Sequence, residues 1–380
     1  MNQFSPVEKH FFSLQDIQKQ TTTIPYIVLE SFPQLGLITS MRFLEWASEN
    51  PEGVISLPTG KTPEYFIKWT HHILNNWDKK DLIDLRKNNG LMLDNKPDLS
   101  GLRFVQIDEF YPLNPNQHNS FYNYVNNYYI NGFGLNPKNA ILINSDEIPL
   151  ANNKNRREIF PENKVDITLR FRDAENDKEK EQQDSIFLID QWCSEYENRI
   201  RSLGGIGFFL GGIGPDGHIA FNVRGSDHNS TTRLTSTNFE TQATAATDLG
   251  GIEISRNRLV ITIGLGTITY NPDTIGIIIA AGEAKSPIIK NSLENLPDVK
   301  YPATALNKLK HSCFYMTQGA AKLLNDTETE YWNNNTWDKP KLQKSLLELS
   351  KKINVYGKKL SLKNLKNDPH CKNIPGLNEN

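Results

Sequence analysis

Short runs of continuously apolar, often β-branched residues recur along the chain and end at glycine or polar loops. A strand with one buried face alternates apolar and polar residues, whereas a strand covered on both faces is apolar throughout. The pattern therefore predicts buried strands. Their positions are residues 54–57, 103–107, 140–143, 206–210, 259–263, 275–281 and 313–316.

Longer amphipathic stretches separate these runs, and their apolar residues recur at helical spacing. We predict helices at residues 63–75, 185–203 and 284–292. Strands that alternate with helices indicate an α/β fold, with a doubly wound, mostly parallel sheet and helices on both faces. Ligands bind such sheets at the carboxyl ends of the strands. The loops that follow strands are therefore the places to look for chemistry.

Two regions depart from this alternation. Residues 170–184 are dense in charge and predict an exposed loop or a solvated helix end, with a lid over the site left open as an alternative. From about residue 325 the chain is polar, with one predicted helix at 340–349 and a linker-like, lysine-rich end. We expect an α/β domain over residues 1–325 and a helical tail with a linker-like end over 326–380.

Composition narrows the class of protein. The chain has 380 residues, 37% of them hydrophobic, and a net charge of −2, which gives no reason to expect a nucleic-acid partner. Its three cysteines are widely spaced, as in proteins of a reducing compartment. The first residues do not resemble a secretory signal, and the apolar runs are too short to span a bilayer. A cytoplasmic protein without membrane contact is expected.

Two loops suit an anion. Thr59, Gly60 and Thr62 lie in the loop 57–63, between a predicted strand and a helix, where backbone N–H groups and hydroxyls suit a phosphate. This loop lacks the spacing of a Walker A motif, and an ordinary strand–helix turn is the alternative. Lys285 follows the strand at 275–281 and can reach a phosphate as a point charge, or simply be a solvated lysine.

Two further loops carry acid–base groups. Asp108 and Glu109 come directly after the strand at 103–107, so they are candidates for catalysis, unless one of them caps the following turn. The segment 204–222 runs from a strand into a glycine-rich turn that carries Asp216 and His218. Imidazole moves protons near neutral pH and a carboxylate can orient it. The glycine-rich setting favours a catalytic His218 over one that only bonds to a loop.

Taken in order, these segments resemble the glucosamine-6-phosphate deaminase family, which shares its fold with 6-phosphogluconolactonases. The resemblance spans roughly residues 30–320. The matching segments are LPTGKTP (57–63), IDEFYPL with NSFYNYV (107–125), GGIGPDGHIAFN (211–222), TTRL (231–234), ITIGLGTI (261–268) and AGEAK (281–285).

The resemblance implies an activity and a role for each matching residue. It implies conversion of an amino-sugar phosphate to fructose 6-phosphate and ammonia, with Asp108 shuttling a proton between C2 and C1. His218 and Asp216 correspond to the pair that helps to open the sugar ring. A small sugar phosphate is the implied partner, with no cofactor and no metal. The substrate- and phosphate-binding positions are Thr59, Gly60, Lys61, Thr62, Glu109, Gly212, Gly214 and Lys285.

Two positions depart from the family pattern. The family usually carries a relay glutamate where this chain has Val223, and an arginine near Thr247 that helps to bind the phosphate. Arg224, Arg233 and Arg256 are candidate substitutes for that arginine. A related sugar-phosphate isomerase or lactonase, or a sugar-phosphate-binding protein with impaired catalysis, therefore stays open as an alternative.

Assembly and length are also open. The family contains small assemblies as well as hexamers, which leaves a homo-oligomer as an expectation without a residue to support it. Longer proteins of this type carry a deacetylase-like domain after the deaminase-like one. The linker-like end of this chain is compatible with such a missing C-terminal domain.

Overall fold

A computed structural model describes residues 4–17, 19–249, 251, 255, 258–334, 336–355 and 359–377. For residues 244, 245 and 247–249 the description covers the backbone only. The chain divides into two compact units, Met1–Leu323 and Leu324–Asn380.

The first unit contains two sheets. Seven parallel strands form the larger sheet, in the order β1-β10-β9-β6-β2-β3-β5, and three antiparallel strands form the smaller one, in the order β4-β8-β7. The strands are β1 Tyr26–Leu29, β2 Val54–Ser56, β3 Arg103–Val105, β4 Asp108–Tyr111, β5 Ala140–Ile141, β6 Phe208–Gly212, β7 Arg233–Thr235, β8 Leu259–Thr262, β9 Ile275–Ala280 and β10 His311–Thr317.

Helices follow most of the strands of the larger sheet and lie on both of its faces. The α-helices are α1 Pro6–Leu14, α2 Phe32–Glu49, α3 Glu64–Asn75, α4 Lys80–Asn88, α5 Phe121–Val125, α6 Arg156–Ile159, α7 Asp177–Ser202, α8 Phe239–Leu249, α9 Leu265–Ile268, α10 Ser286–Glu294, α11 Gln318–Ala321, α12 Asn325–Asn333, α13 Lys339–Lys352 and α14 Leu362–Asn367. A π-helical turn, Asn126–Asn131, continues α5.

The predicted α/β class with a mostly parallel sheet is confirmed, with one correction. The run at 259–263 forms β8, which pairs antiparallel with β4 and β7 in the smaller sheet and not with the parallel strands. The sequence pattern also missed three short strands, β1, β4 and β7. Each has only three or four residues, too few to show a period.

Side chains from both faces hold the larger sheet between its helices. On one face Phe43 and Trp46 of α2 contact Phe208 of β6, with ring centroids 5.5 and 5.4 Å apart. Tyr196 of α7 is fully buried and donates its hydroxyl hydrogen to the carbonyl oxygens of Gln106 and Ile141, beside β3 and β5. Buried aromatic rings of this size dominate the energetics of a core.

The strand order contains a topological switch point. From β1 the chain proceeds through β2 and β3 to β5 at one edge, returns to the centre at β6, and then adds β9 and β10 toward the other edge. The direction of winding reverses between β2 and β6, which are neighbours. A crevice at the carboxyl ends of the two strands is the usual ligand site of such a sheet.

The charged segment 170–184 is partly helical. Asn176 caps α7 by accepting a hydrogen bond from Glu179 N, so the helix begins at Asp177, eight residues before the predicted start. Arg172 pairs with Asp166 and Glu179. Charged side chains that form ion pairs with residues nearby in sequence are typical of a solvated helix end.

The second unit is built from short helices. The predicted helix at 340–349 is present as α13, and Asp338 caps it by accepting a hydrogen bond from Lys341 N. The ring of Trp332 stacks on His370 with centroids 4.1 Å apart. Across the described parts of both units, no helix combines the length and apolarity needed to cross a bilayer.

Candidate active site

The loop between β2 and α3 forms one wall of a cavity at the switch point. Thr59, Gly60, Lys61 and Thr62 all line this cavity. Gly60 has a φ of +81°, a backbone conformation that glycine adopts without steric cost. The turn therefore presents main-chain groups and two hydroxyls to the cavity at the start of a 12-residue helix, which is a favourable setting for an anion.

Two tyrosines that the sequence analysis did not single out donate hydrogen bonds to the backbone of this loop. The hydroxyl of Tyr129 donates to Pro58 O at 2.5 Å, and the hydroxyl of Tyr124 donates to Gly60 O at 3.0 Å. Tyr129 is fully buried. The signal was present in the aromatic-rich segment 119–129, but which backbone groups its hydroxyls meet depends on the fold.

The glycine-rich turn after β6 faces the loop 57–63. A Cβ atom on Gly212 would lie 3.1 Å from Thr62 Cγ2, and one on Gly214 would lie 2.0 Å from Cε1 of His218. Larger residues at these two positions would push the facing side chains away. Ala220, which also lines the cavity, has a φ of +53°. Strained backbone of this kind concentrates at functional sites.

Asp216 and His218 form a close pair. Asp216 Oδ1 lies 2.6 Å from His218 Nδ1, and Oδ2 accepts hydrogen bonds from Asn238 Nδ2 at 2.6 Å and Arg224 N at 3.2 Å. Burial opposes ionisation of Asp216, but the hydrogen bond and charge of His218 and the bond from Arg224 N outweigh it, so its pKa is well below the usual value. Asp216 is thus an anion that fixes the orientation of the imidazole.

A second contact to the imidazole comes from α8. The hydroxyl of Thr241 lies 3.3 Å from His218 Nδ1, and Thr241 N donates to Asn238 Oδ1, which caps the helix. Asn238 and Thr241 were not found from the sequence. Asn238 precedes an acidic first turn in STNFE, which is a recognisable signal for the start of a helix. Its contact with Asp216 depends on the tertiary structure and could not be read from the sequence.

Asp108 brings a carboxyl group to the cavity from the chain that follows β3. It begins β4, lines the cavity and is 7% exposed. Burial raises its pKa well above the usual value, and the neighbouring Glu109 carboxyl adds to the rise. A buried carboxyl group whose pKa is raised is a candidate to give and take a proton.

Glu109 is one of the expected substrate-binding positions, with capping of the following turn as the alternative, and its contacts are those of a cap. Its carboxylate accepts hydrogen bonds from Ser120 Oγ at 2.7 Å and from the backbone N–H groups of Phe110, Phe121 and Tyr122. The side chain is 1% exposed and is not part of the cavity lining. Adjacent residues of a strand point to opposite faces, so Glu109 caps α5 while Asp108 faces the cavity.

Lys285 lies in the short helical turn Glu283–Lys285 that follows β9. Its ammonium donates to Ile213 O at 2.8 Å and lines the cavity. Burial lowers the pKa of Lys285, and the charge of Asp216 partly offsets this. A partly desolvated cation with one carbonyl as partner gains strongly from a bound anion.

The cavity has a volume of about 580 Å³. The carboxyl ends of four neighbouring strands, β9, β6, β2 and β3, surround it, and each contributes one of the loops described above. Phe110, Phe121 and Phe221 form an apolar wall, with the rings of Phe121 and Phe221 stacked 6.3 Å apart. A pocket with an apolar wall and a few converging polar groups is typical of small-molecule sites.

Neither of the two positions that depart from the family pattern contributes a described side chain to the cavity lining. Val223 is half-buried and does not line the cavity. The side chain of Thr247 and the whole of Arg256 lie outside the described residues. Arg233 is engaged by Asn222 Oδ1, Thr231 O and Ser226 Oγ. Arg224 is exposed and is not part of the lining.

The described residues contain no group of three or more His, Cys, Asp or Glu side chains that could hold a metal ion. The titratable groups at the cavity are one buried acid, one carboxylate–imidazole pair and two lysines, Lys61 and Lys285. This set can move protons and hold an anion.

Fold and cavity together define a doubly wound α/β protein whose switch point holds a cavity lined by titratable side chains and by a loop suited to an anion. No family model matches the chain. The chain is 25% identical over 307 residues to a glucosamine-6-phosphate deaminase of Borrelia hermsii, covering 78% of this chain and 92% of that protein. Over 119 residues it is 37% identical to a glucosamine-6-phosphate isomerase of Candida albicans, covering 31% of this chain and 48% of that protein.

A solved structure of a monomeric glucosamine-6-phosphate deaminase has the same fold. It superposes with a TM-score of 0.58 at 20% identity, covering 79% of this chain and all of that chain. The resemblance that the ordered motifs indicate is thus confirmed: the chain is related to the glucosamine-6-phosphate deaminases and has their fold.

Proposed function

We propose that this protein is an isomerising deaminase that converts glucosamine 6-phosphate and water to fructose 6-phosphate and ammonia. The observation that carries the proposal is a single cavity lined by Asp108, His218, Lys285 and the loop 57–63, with Asp216 bonded to His218 behind the lining. The relatives named as glucosamine-6-phosphate deaminases support it.

The phosphate would lie between the loop 57–63 and Lys285. The backbone and hydroxyl groups of Thr59, Gly60 and Thr62 supply hydrogen-bond donors, and the Lys285 ammonium supplies a positive charge. Tyr124 and Tyr129 hold the loop in place before any ligand arrives. A preformed cradle lowers the cost of ordering on binding. Anchoring the phosphate fixes the position of the sugar carbons relative to Asp108.

Ring opening needs a proton to move between the anomeric hydroxyl and the ring oxygen. His218 is the group in the cavity that can transfer it, because Asp216 occupies Nδ1 and leaves Nε2 for the ligand. The Asp216 carboxylate stabilises the imidazolium that forms after His218 has accepted a proton. The product of this step is the open-chain aldehyde with its amino group still on C2.

Isomerisation needs a base between C1 and C2. Asp108 in its ionised form removes the proton from C2, and the electron pair moves to form the C1–C2 double bond as the C1 oxygen gains a proton from the protonated amino group on C2. Asp108 then returns the proton to C1, and the electron pair of the neutral nitrogen makes C2 an iminium carbon. Asp108 keeps 7% of its exposure, so the shuttled proton can exchange with solvent before it returns to the sugar.

Release of ammonia completes the reaction. Water adds to the C2 iminium carbon, the C–N bond breaks, and nitrogen leaves with the proton that the addition provides, which gives the ketone of fructose 6-phosphate. These steps are acid–base chemistry throughout and need neither a redox cofactor nor a metal. A phosphorylated substrate and three free thiols fit a cytoplasmic location.

Val223 favours a second candidate, a sugar-phosphate-binding protein with little turnover. The relay glutamate of the family is absent at this position, and loss of one acid–base partner typically costs about 10²- to 10⁴-fold in rate. The hydrogen bond from Asn238 to Asp216 and the contact between Thr241 and His218 favour the enzyme instead, because they hold the pair without residue 223.

The two candidates are separated by incubating the purified protein with glucosamine 6-phosphate in D₂O and following the sugar by NMR. An isomerising deaminase puts deuterium on C1 of the fructose 6-phosphate formed. Binding of the sugar phosphate with neither fructose 6-phosphate nor carbon-bound deuterium would assign the chain to the binding class, and absence of binding would exclude both.

A further inference from the structure

A second cavity lies away from the active site, at the far end of the smaller sheet. Its volume is about 200 Å³, and three arginines line it: Arg156, Arg157 and Arg258. Asn114 and Gln117 add amide groups to the lining. The volume is below the roughly 300–1,000 Å³ typical of sites for drug-sized ligands, so a small ligand fits it.

The charges of this cavity are not balanced within the described residues. Arg156 donates through Nε to Asp146 Oδ1 at 2.7 Å, and this is the cluster's one ion pair with a carboxylate there. Arg157 is exposed at the rim. Within the described residues the three guanidinium groups therefore have one carboxylate partner, Asp146, which is itself half exposed and pairs with Arg156.

Arg258 is the best-placed of the three to meet a ligand. Its Nη1 donates to the carbonyl oxygens of Pro112 at 2.6 Å and Asn163 at 3.0 Å, which fixes the guanidinium but does not neutralise it. Its Nε is buried without a hydrogen-bond partner. A buried donor without an acceptor costs free energy that a ligand oxygen would recover.

The electrostatic surroundings agree with this geometry. Burial lowers the pKa of Arg258, and the positive charge of Arg156 lowers it further. Two guanidinium groups close enough to repel one another are stabilised by an anion between them. A guanidinium presents a planar fork of donors that matches phosphate oxygens, so phosphate suits such a cluster better than a monatomic anion does.

We propose that the cavity lined by Arg156, Arg157 and Arg258 is a second oxyanion site that binds a phosphate group, separate from the cradle at Lys285. Nη2 and Nε of Arg258 contribute donors from inside, and Arg157 closes the site from the rim. The site does not depend on the reaction assigned to the first cavity, because none of its residues lines that cavity.

The test is titration of the purified chain with inorganic phosphate by isothermal calorimetry, in buffer with chloride held constant. The site predicts a bound phosphate that persists in Lys285→Ala and weakens roughly 10-fold or more in Arg157→Ala, the loss of one charge-assisted contact. Arg199→Ala is the matched control, since Arg199 is also exposed and its loss changes the net charge equally.

A conservative variant guards against misfolding. Arg258→Ala would leave two carbonyl groups unpartnered, so Arg258→Lys is used; it keeps the charge, loses the planar fork, and is expected to weaken phosphate by about 10-fold at unchanged Tm. The proposal is overturned if every bound phosphate disappears in Lys285→Ala. It is overturned equally if Arg157→Ala and Arg258→Lys bind phosphate as tightly as Arg199→Ala, or if chloride displaces phosphate at equal concentration.

Discussion

Asn238 Nδ2 donates a hydrogen bond of 2.6 Å to Asp216 Oδ2, while Asn238 Oδ1 accepts a hydrogen bond from Thr241 N in the first turn of α8. One amide therefore begins a helix and orients the carboxylate that holds His218. Through this contact the Asp216–His218 pair is supported from α8 and not from position 223, where the family has its relay glutamate. Asn238 is thus a positioning residue.

Replacing Asn238 by Asp should separate its two tasks. The Asn238→Asp variant keeps an oxygen for the cap but sets a second carboxylate against Asp216, so ammonia release should fall by about 10- to 100-fold, at the low end of general acid–base effects. The added negative charge beside the pair should also shift the acidic limb of the kcat–pH profile.

Asn238→Ser provides the control for Asn238→Asp. Serine also caps helices well but is too short to donate to Asp216. A rate loss in Asn238→Ser with an unchanged Tm supports the positioning role. Equal losses of rate and Tm in both variants would reduce Asn238 to a helix cap.

Val223→Glu tests whether the missing glutamate limits the rate. Val223 does not line the cavity, and α8 holds the Asp216–His218 pair. We therefore expect the kcat of Val223→Glu to lie within about threefold of that of the parent. A residue that takes part in acid–base catalysis typically changes the rate by about 10²- to 10⁴-fold. The measurement is steady-state ammonia release. A gain of two orders of magnitude would show that the native chain is catalytically impaired.

Asp108→Asn should abolish carbon-bound deuterium incorporation in D₂O, since the amide cannot accept the C2 proton. The pH dependence follows from the same group: its pKa is raised by burial, and only the ionised form is a base. Hence kcat/KM of the parent should rise with pH through the raised pKa. Undiminished exchange in Asp108→Asn would exclude Asp108 from the mechanism.

The same substitution should stabilise the fold. The folded state binds the Asp108 proton more tightly than the unfolded state does, so the free energy of unfolding falls as pH rises from the ordinary value of about 4 toward the raised pKa. The Tm advantage of Asp108→Asn should be absent below about pH 4 and grow above it, by roughly 2–4 °C per kcal/mol. Thermal melts at pH 4 and pH 8 measure it.

Lys285→Ala should weaken the sugar phosphate. Removing a charge-assisted partner worth about 1.5–3 kcal/mol raises Kd by roughly 10- to 150-fold. Calorimetric titration with glucosamine 6-phosphate gives the affinity, and Lys87→Ala, which removes an exposed lysine of α4, is the control. An unchanged Kd in Lys285→Ala would place the phosphate elsewhere.

Tyr129→Phe tests the support beneath the phosphate loop. Loss of the buried hydroxyl leaves Pro58 O without that donor, at a cost of about 1–3 kcal/mol. We expect a lower Tm and weaker binding of the sugar phosphate. Tyr128, whose side chain is 48% exposed, provides the control Tyr128→Phe. Equal behaviour of the two variants would contradict a role for Tyr129 in holding the loop.

Much of the larger sheet was predictable because its strands are covered on both faces and are therefore apolar throughout. The run 275–281 is β9, and the run 103–107 contains β3. In the smaller sheet β8 was predicted as a strand from the run 259–263, whereas β4 was missed because it reads DEFY. The two acids of β4 have different environments: Asp108 faces the cavity, and Glu109 caps α5. Local propensity argues against acids on a strand.

The residues of the candidate site were predictable where a glycine-rich turn carries them. They were missed where they come from a helix that is distant in sequence. Gly214 and His218 are neighbours in sequence as well as in space, so the motif revealed both. Asn238, Thr241 and Tyr129 reach the site through tertiary contacts at sequence separations of 22, 23 and 71 residues. One sequence carries no signal of such contacts.

The most direct measurement is the formation of ammonia and fructose 6-phosphate from glucosamine 6-phosphate by the purified 380-residue chain. The account predicts both products in equal amounts, with kcat/KM rising with pH through the raised pKa of Asp108, and neither product from Asp108→Asn. Saturable binding of the sugar phosphate to the folded protein, with neither ammonia nor ketose formed at any pH, would contradict it.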